Sequence, residues 1–294
     1  MPRIAYVNGR YVPHGQAHVH IEDRGLQFAD SIYEVVALIN GRLADETGHL
    51  DRLERSLDEL EIPMPMSRAA LQIAMRYLVR QNRVKNGAVY MQITRGVAPR
   101  DFKFPDAASP TIIMTLRNMT FDMEARKKQL RDIITLPDIR WKRPDIKTTC
   151  LLAQVLAKQE ALDSGAYDAW MVDEKGFVTE GSASNAWIVN AKGELVTRPT
   201  THNRILKGVT RSALQALCKR AKIKLVERAF TVAEARKAKE AFTSSATALV
   251  MPVGSIDGHK IGKGKIGPLT EKVMDLYMDY ATDENRKQES WKPA

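Results

Sequence analysis

Asp145-Ile146-Lys147-Thr148-Thr149-Cys150-Leu151-Leu152 sets a lysine at the mouth of a long apolar helix, predicted over residues 148–164. Short β-branched runs near residues 133–136 and 169–172 flank it and read as strands. A lysine met at random is a solvated side chain, but one in the first turn of a helix works mildly against the dipole, so this position has a small electrostatic cost. The alternation continues downstream: a strand near 186–189, a helix over 209–221, a strand at 223–226, a helix capped by Thr231, strands near 241–243 and 249–253, and a final helix over 269–280. Residues 283–294 are polar and read as a frayed end.

Upstream the chain opens on hairpins. Asn8-Gly9 suits a type I′ turn between Ile4–Val7 and residues 10–12, and Asn40-Gly41 turns the apolar strand Ser31–Ile39 back on Arg42-Leu43. Leu50, Leu53, Leu57 and Leu60 mark a helix that Thr47 is placed to cap. Leu71, Met75 and Leu78 mark a second over 67–81. Strands at 88–94 and 111–116 enclose the turn-rich Arg95-Gly96-Val97-Ala98-Pro99-Arg100-Asp101-Phe102, a loop of the kind that carries function on a rigid scaffold. The pattern is that of an α+β or α/β protein. We divide it into a small N-terminal domain (1–118), a polar connection (119–131) and a larger C-terminal domain (132–294).

With 294 residues, 44% hydrophobic and 27% charged, the composition is that of a folded domain or two, not of a disordered chain. No apolar run approaches the roughly 18–20 residues of a membrane span, and the first residues lack an apolar export segment, so the expectation is a cytoplasmic protein. Two cysteines, Cys150 and Cys218, exclude a disulfide scaffold and a zinc module; both read as buried or incidental thiols, and no metal is expected. Lys and Arg outnumber Asp and Glu by 45 to 35. The basic clusters Arg126-Lys127-Lys128, Arg236-Lys237-Ala238-Lys239 and His259-Lys260 with Lys263 and Lys265 are scattered and have no aromatic interleaving, which leaves a non-catalytic nucleic-acid binder with little support.

Two further segments carry chemistry. Gly176-Phe177-Val178-Thr179-Glu180-Gly181-Ser182-Ala183-Ser184-Asn185 isolates one carboxylate among small and polar residues between strands. Arg204-Ile205-Leu206-Lys207-Gly208-Val209-Thr210-Arg211 ends at a helix start, where free N–H groups and the dipole suit a phosphate. Taken alone, each is also an ordinary polar or glycine-containing turn.

Together with Glu22-Asp23-Arg24-Gly25-Leu26-Gln27-Phe28, Tyr33-Glu34-Val35-Val36, His49-Leu50-Asp51-Arg52-Leu53 and Val155-Leu156-Ala157-Lys158-Gln159-Glu160-Ala161, these segments resemble the class IV (fold-type IV) pyridoxal-phosphate aminotransferases from about Tyr6 to Leu276, and among them the D-amino acid transaminases. The resemblance implies a small N-terminal α/β domain, a larger C-terminal pseudo-barrel domain, pyridoxal 5′-phosphate held between them, and a homodimer or larger homo-oligomer. It implies that Lys147 bonds the cofactor covalently and then carries the substrate proton, and that Glu180 pairs with the ring nitrogen. It also implies that Arg52, the Val209 and Thr210 N–H groups and Ser245 grip the phosphate, and that Arg140 reaches the phenolic oxygen. Tyr33, Arg100 and Ala246 fall at substrate-binding positions, with Arg100 delivered by the partner subunit. Relatives have a histidine two residues after that arginine; here Phe102 replaces a donor with an apolar ring, which makes activity on R-primary amines plausible beside transfer from D-amino acids to 2-oxoglutarate or pyruvate. A branched-chain L-amino acid aminotransferase and an aminodeoxychorismate lyase are the alternatives within the fold, and Tyr33-Glu34-Val35-Val36 with the Arg100 loop favours the D-type.

Overall fold

The structure is a computed structural model and describes residues 3–283; most of the polar end expected at 283–294 lies outside the described residues. The chain forms two compact units. The first comprises residues 3–121 and Ile146–Cys150, the second Asp122–Asp145 and residues 151–283.

The first unit contains β1 (Ile4–Val7), β2 (Arg10–Pro13), α1 (Arg24–Phe28), β3 (Ser31–Ile39), β4 (Arg42–Leu43), α2 (Glu46–Glu59), α3 (Arg68–Asn82), β5 (Gly87–Thr94) and β6 (Thr111–Asn118). Its sheet runs β2-β1-β6-β5-β3-β4, antiparallel throughout. Asn8 (φ 45°) and Gly9 (φ 89°) make the expected primed turn. Ile32 and Val36 on β3, Val89, Met91 and Ile93 on β5, and Ile112, Met114 and Leu116 on β6 share one face and pack on Leu50, Leu53 and Leu57 of α2 and Leu71, Met75 and Leu78 of α3. Ser67 caps α3 by accepting the Ala70 N–H. Thr47 does not cap α2, which begins one residue earlier, at Glu46, after Asp45 in a left-handed conformation.

The second unit contains α4 (Met123–Lys128), β7 (Arg131–Pro137), α5 (Leu152–Asp163), β8 (Asp168–Val172), β9 (Val178–Gly181), β10 (Asn185–Val189), β11 (Leu195–Thr197), α6 (Val209–Arg220), β12 (Leu225–Glu227), α7 (Val232–Arg236), β13 (Glu240–Ser245), β14 (Leu249–Ile256), β15 (His259–Lys260) and α8 (Pro268–Thr282). Its mixed sheet runs β12-β11-β10-β13-β14-β7-β8-β9, with β15 on β14. A three-residue turn carries β9 straight into β10, with the Gly181 N–H bonded to the Ser184 carbonyl at 2.7 Å, so the sheet curls back on itself as a half-barrel. Trp170, Val178, Ile188, Phe230 and Val253 are among the residues that fill it.

Two expectations need correcting. The helix placed at 148–164 begins only at Leu152, so Lys147 lies on no helix and not in the first turn of α5. Residues 146–150 join the first unit, whereas the sequence reading set all of 132–294 in one C-terminal domain. One cause explains both. β4 pairs only with Leu38 and Ile39, leaving the first half of β3 with an open edge. The β-branched Thr148 bridges Ile32 there, and Ile146 enters the first unit's core.

Candidate active site

Lys147 is held from both sides. Its carbonyl accepts the Tyr33 N–H (2.9 Å), and its own N–H donates to Ser56 Oγ on α2 (3.4 Å). Two residues on, the Thr149 N–H donates to the Ser31 carbonyl (3.2 Å), and the two hydroxyls meet at 2.5 Å. This pairing directs the half-buried side chain over the Tyr33 ring, with Nζ 4.1 Å from the ring centroid. A cation over a phenol face is attracted by the ring quadrupole, so the amine has a preferred resting place.

On the opposite face of β3, Glu34 is fully buried. It accepts from Arg52 Nε (2.6 Å) and Nη2 (2.7 Å) and bonds His49 Nδ1 (2.7 Å). Burial pushes this carboxyl up, but Arg52 and His49 outweigh burial and hold it at about 2. Arg52 is thereby locked in orientation, and Ser56, one turn further along α2, touches the Lys147 backbone, so Arg52 stands about one helical turn from the lysine segment. The sequence pattern alone does not mark Glu34 or His49 as site residues. The visible signal was an acid at an inward position of an alternating strand.

The Arg100 loop is built on two buried arginines. Arg24 bonds Asp30 (2.7 Å) and the Asp101 carbonyl (2.7 Å), and Arg95 bonds both Asp30 oxygens and the Leu60 and Glu61 carbonyls. Gly96 (φ 103°) is required at the base, where a Cβ would sit 2.0 Å from the Ser109 carbonyl. Arg100 is exposed, its guanidinium over Phe28 (5.1 Å) and Phe102 (5.7 Å), and Phe102 is 80% exposed. The ring contacts of Arg100 are therefore on its own loop and α1, not with Tyr33.

In the second unit Glu180 lies on β9, one residue before its end, and is buried. Its Oε1 accepts from Arg140 Nη1 and from the Leu206 N–H (3.0 Å), and Oε2 from Asn185 Nδ2 (2.9 Å). Burial raises the Glu180 carboxyl against these donors. Arg140 also bonds Asp138 through Nε (2.9 Å) and Nη2 (2.8 Å), and Asp138 accepts the Thr179 hydroxyl (2.7 Å). Arg140 is thus engaged by two carboxylates, a partnership that the phenolic-oxygen expectation did not include.

Asn185 links Glu180 to the start of α6. The same Nδ2 donates to the Leu206 carbonyl (3.1 Å), and Asn185 pairs in register with Ser244, beside Ser245. Val209 and Thr210 open α6 after Gly208, so their N–H groups have no intrahelical acceptor. Thr210 is buried, and its Oγ1 has no hydrogen-bond partner among the described residues. A phosphate at this helix end supplies what that orphaned hydroxyl lacks, so the residues fit the cofactor. Ser245 Oγ accepts the Ala248 N–H (3.1 Å) and keeps its own proton to donate. Ala246 lies half-buried in the same turn, which Arg126 braces through the Thr247 and Ala248 carbonyls.

Among the described residues no cluster of His, Cys, Asp and Glu is arranged for a metal, and no helix is long and apolar enough to cross a membrane. Cys150 is exposed; Cys218 is buried, and burial pushes its thiol up to about 11.

Residues 31–256 match the family described as amino-transferase class IV. The D-alanine aminotransferase of Bacillus licheniformis is 37% identical over 283 residues, covering 95% of this chain and 98% of that protein; that of Listeria monocytogenes serotype 4b is 38% identical over 275 residues, covering 93% and 94%. Among solved structures, the branched-chain amino acid aminotransferase of Escherichia coli superposes with a TM-score of 0.89 at 24% identity, covering 99% of this chain and 98% of that one. That of Thermobaculum terrenum, solved in its PLP form, gives 0.85 at 24%, covering 95% and 94%. The lysine, the buried carboxylate and the helix end with its orphaned hydroxyl stand within the matched residues, and the chain belongs to the class IV aminotransferases, enzymes that work through pyridoxal phosphate.

Proposed function

We propose that this transaminase moves the amino group of a D-amino acid to a 2-oxo acid such as 2-oxoglutarate or pyruvate, by a ping-pong route. What carries the choice of substrate is that relatives 35–38% identical over 93–95% of the chain are D-alanine aminotransferases. The likeness to branched-chain enzymes, at 24% identity, speaks for the fold.

When bound, the pyridoxal ring supplies the electron sink that makes the substrate Cα proton removable. Lys147 holds the cofactor covalently and, once released, takes the proton from Cα. A base fixed in this way contributes about 10²–10⁴-fold. Glu180 keeps a proton on the ring nitrogen, oriented by Arg140, Asn185 and the Leu206 N–H. Arg52, Val209, Thr210 and Ser245 bind the phosphate. Tyr33 binds substrate beside the lysine. We place Ala246 at the substrate as well, and Arg100 at the substrate carboxylate of a neighbouring subunit in a homodimer. The apolar side chains of Leu152, Val155 and Leu156, exposed on one side of α5, favour such self-association. A cytoplasmic location suits the free thiols. Phe102, exposed where a second donor is expected, supports a side activity on R-primary amines, which have no carboxylate to bind.

The test is a half-reaction panel on the holoenzyme, following loss of the visible cofactor band with D-alanine, D-glutamate, L-leucine and R-1-phenylethylamine. The D-amino acids are expected to react fastest and the R-amine more slowly. L-leucine as the best donor would replace this reading with the branched-chain one.

A further inference from the structure

The side chain of Gln92 on β5 lies beside Tyr33, its register partner on β3, and is bonded at both ends. Its Oε1 accepts the Tyr90 hydroxyl (2.8 Å), and its Nε2 donates to Ser31 Oγ (3.2 Å). Two lines of contact run from this one amide to Lys147. Through Tyr90, whose ring stacks on Tyr33 (centroids 5.8 Å apart, 28° between planes), it backs the ring over which the amine rests. Through Ser31 and its hydroxyl contact with Thr149, it clamps the segment that carries the lysine. An amide is the side chain that both accepts and donates across one planar group, so a single residue serves both lines. Burial, with Tyr33 adding to it, pushes the Tyr90 phenol up to about 12, so Tyr90 stays a donor across the working pH range.

We propose that Gln92 is a positioning residue for the Lys147 amine, fixing the Tyr90–Tyr33 stack and the Ser31–Thr149 clamp together. This rests on Lys147 being the catalytic lysine. Gln92→Leu keeps the size and removes both hydrogen bonds; Tyr90→Phe keeps the stack and removes one; Gln92→Glu restores the acceptor for Tyr90. In the holoenzyme, Gln92→Leu is expected to lower kcat for D-alanine by about 10-fold to 100-fold, the scale of a misplaced reacting group, with KM changed far less. The pH midpoint at which the resting visible band changes is expected to move by about half a unit or more, because the surroundings of the amine differ. Tyr90→Phe should show a smaller loss of the same kind, and Gln92→Glu should recover part of it.

Wild-type kcat and an unmoved midpoint in Gln92→Leu would overturn the proposal. So would an unchanged Tyr90→Phe, which serves if the leucine variant does not fold. Borohydride reduction followed by peptide mass analysis separates the two levels. Cofactor trapped on Lys147 with no effect in either variant removes the role of Gln92 alone, whereas cofactor trapped on another lysine removes the reading of Lys147 as well.

Discussion

Glu34 is the residue whose surroundings make the sharpest demand on solution behaviour. A buried carboxylate shared by Arg52 and His49 is stable only while charged, and removing one member strands the others, at a cost of about 3–5 kcal/mol. Its carboxyl is held near 2 against an ordinary 4.5, so the native state binds this proton less readily than the unfolded chain. The resulting stabilisation, on the order of 3 kcal/mol, is fully present above pH 4.5 and disappears as pH falls towards 2. Tm measured across that window should fall steeply in the wild type. Glu34→Gln should start lower at neutral pH and fall less, and parallel curves would show that Glu34 is not the titrating group. Glu180 calls for a different readout. Glu180→Gln keeps the volume and its hydrogen-bonding reach but not the charge, so cofactor should remain bound while kcat drops by on the order of 10²-fold; near-normal kcat would remove Glu180 from the ring nitrogen. Glu180 is visible in the chain as one acid alone between strands, but the pattern by itself is also that of a polar turn, and its role at the ring comes from the family resemblance. The Glu34 cluster could not, because His49 and Arg52 reach it only once α2 lies on the sheet.

At the scale of elements, regular helices and hairpins were legible wherever one local signal governed. Ser67 and the Leu71, Met75, Leu78 spacing foretell α3, and Asn8-Gly9 its turn, because capping and turn geometry are local. The start of α5 was not legible: Thr148 and Thr149 pair with the open edge of β3, a tertiary contact that overrides helical periodicity. α1, five residues long, is too short to show a period. The start of α6 yields a prediction. A Cβ on Gly208 would lie 2.0 Å from Asn185 Oδ1, and Asn185 cannot give way without loosening its bonds to Glu180 and Leu206. Gly208→Ala should therefore lower stability by about 1–3 kcal/mol, the scale of overpacking, and release cofactor more readily on dialysis. Wild-type cofactor retention in the variant would show that Asn185 does not tie the helix end to Glu180.

For the whole molecule, chain order and spatial grouping diverge. Lys147 follows the polar connection in sequence, yet it is grouped with Tyr33 and Arg52, while Glu180, Thr210 and Ser245 belong to the second unit. Four arginines, Arg24, Arg95, Arg140 and Arg211, are buried or nearly so against the four carboxylates Asp30, Asp138, Glu180 and Glu227, so they balance those acids and the excess positive charge lies elsewhere. Arg100 differs: it is exposed, with its guanidinium over Phe28 and Phe102 of its own chain, and its proposed place at the substrate of a neighbouring subunit can be tested directly. Subunit complementation tests this proposal. Chains carrying Arg100→Ala and chains carrying Lys147→Ala are co-expressed and purified through different tags. If the arginine acts on the neighbouring subunit, a mixed dimer has one site with the lysine of the first chain and the arginine of the second, both intact, and one site lacking both. Dimers that carry both tags then have about half the wild-type number of intact sites, with D-alanine KM near wild type. If the arginine acts within its own chain, every site in every dimer lacks one group, and D-alanine activity does not rise above that of the Arg100→Ala parent. With R-1-phenylethylamine, which has no carboxylate, the Arg100→Ala parent should already be close to wild type. An equal loss on both donors would make Arg100 a structural residue of its loop.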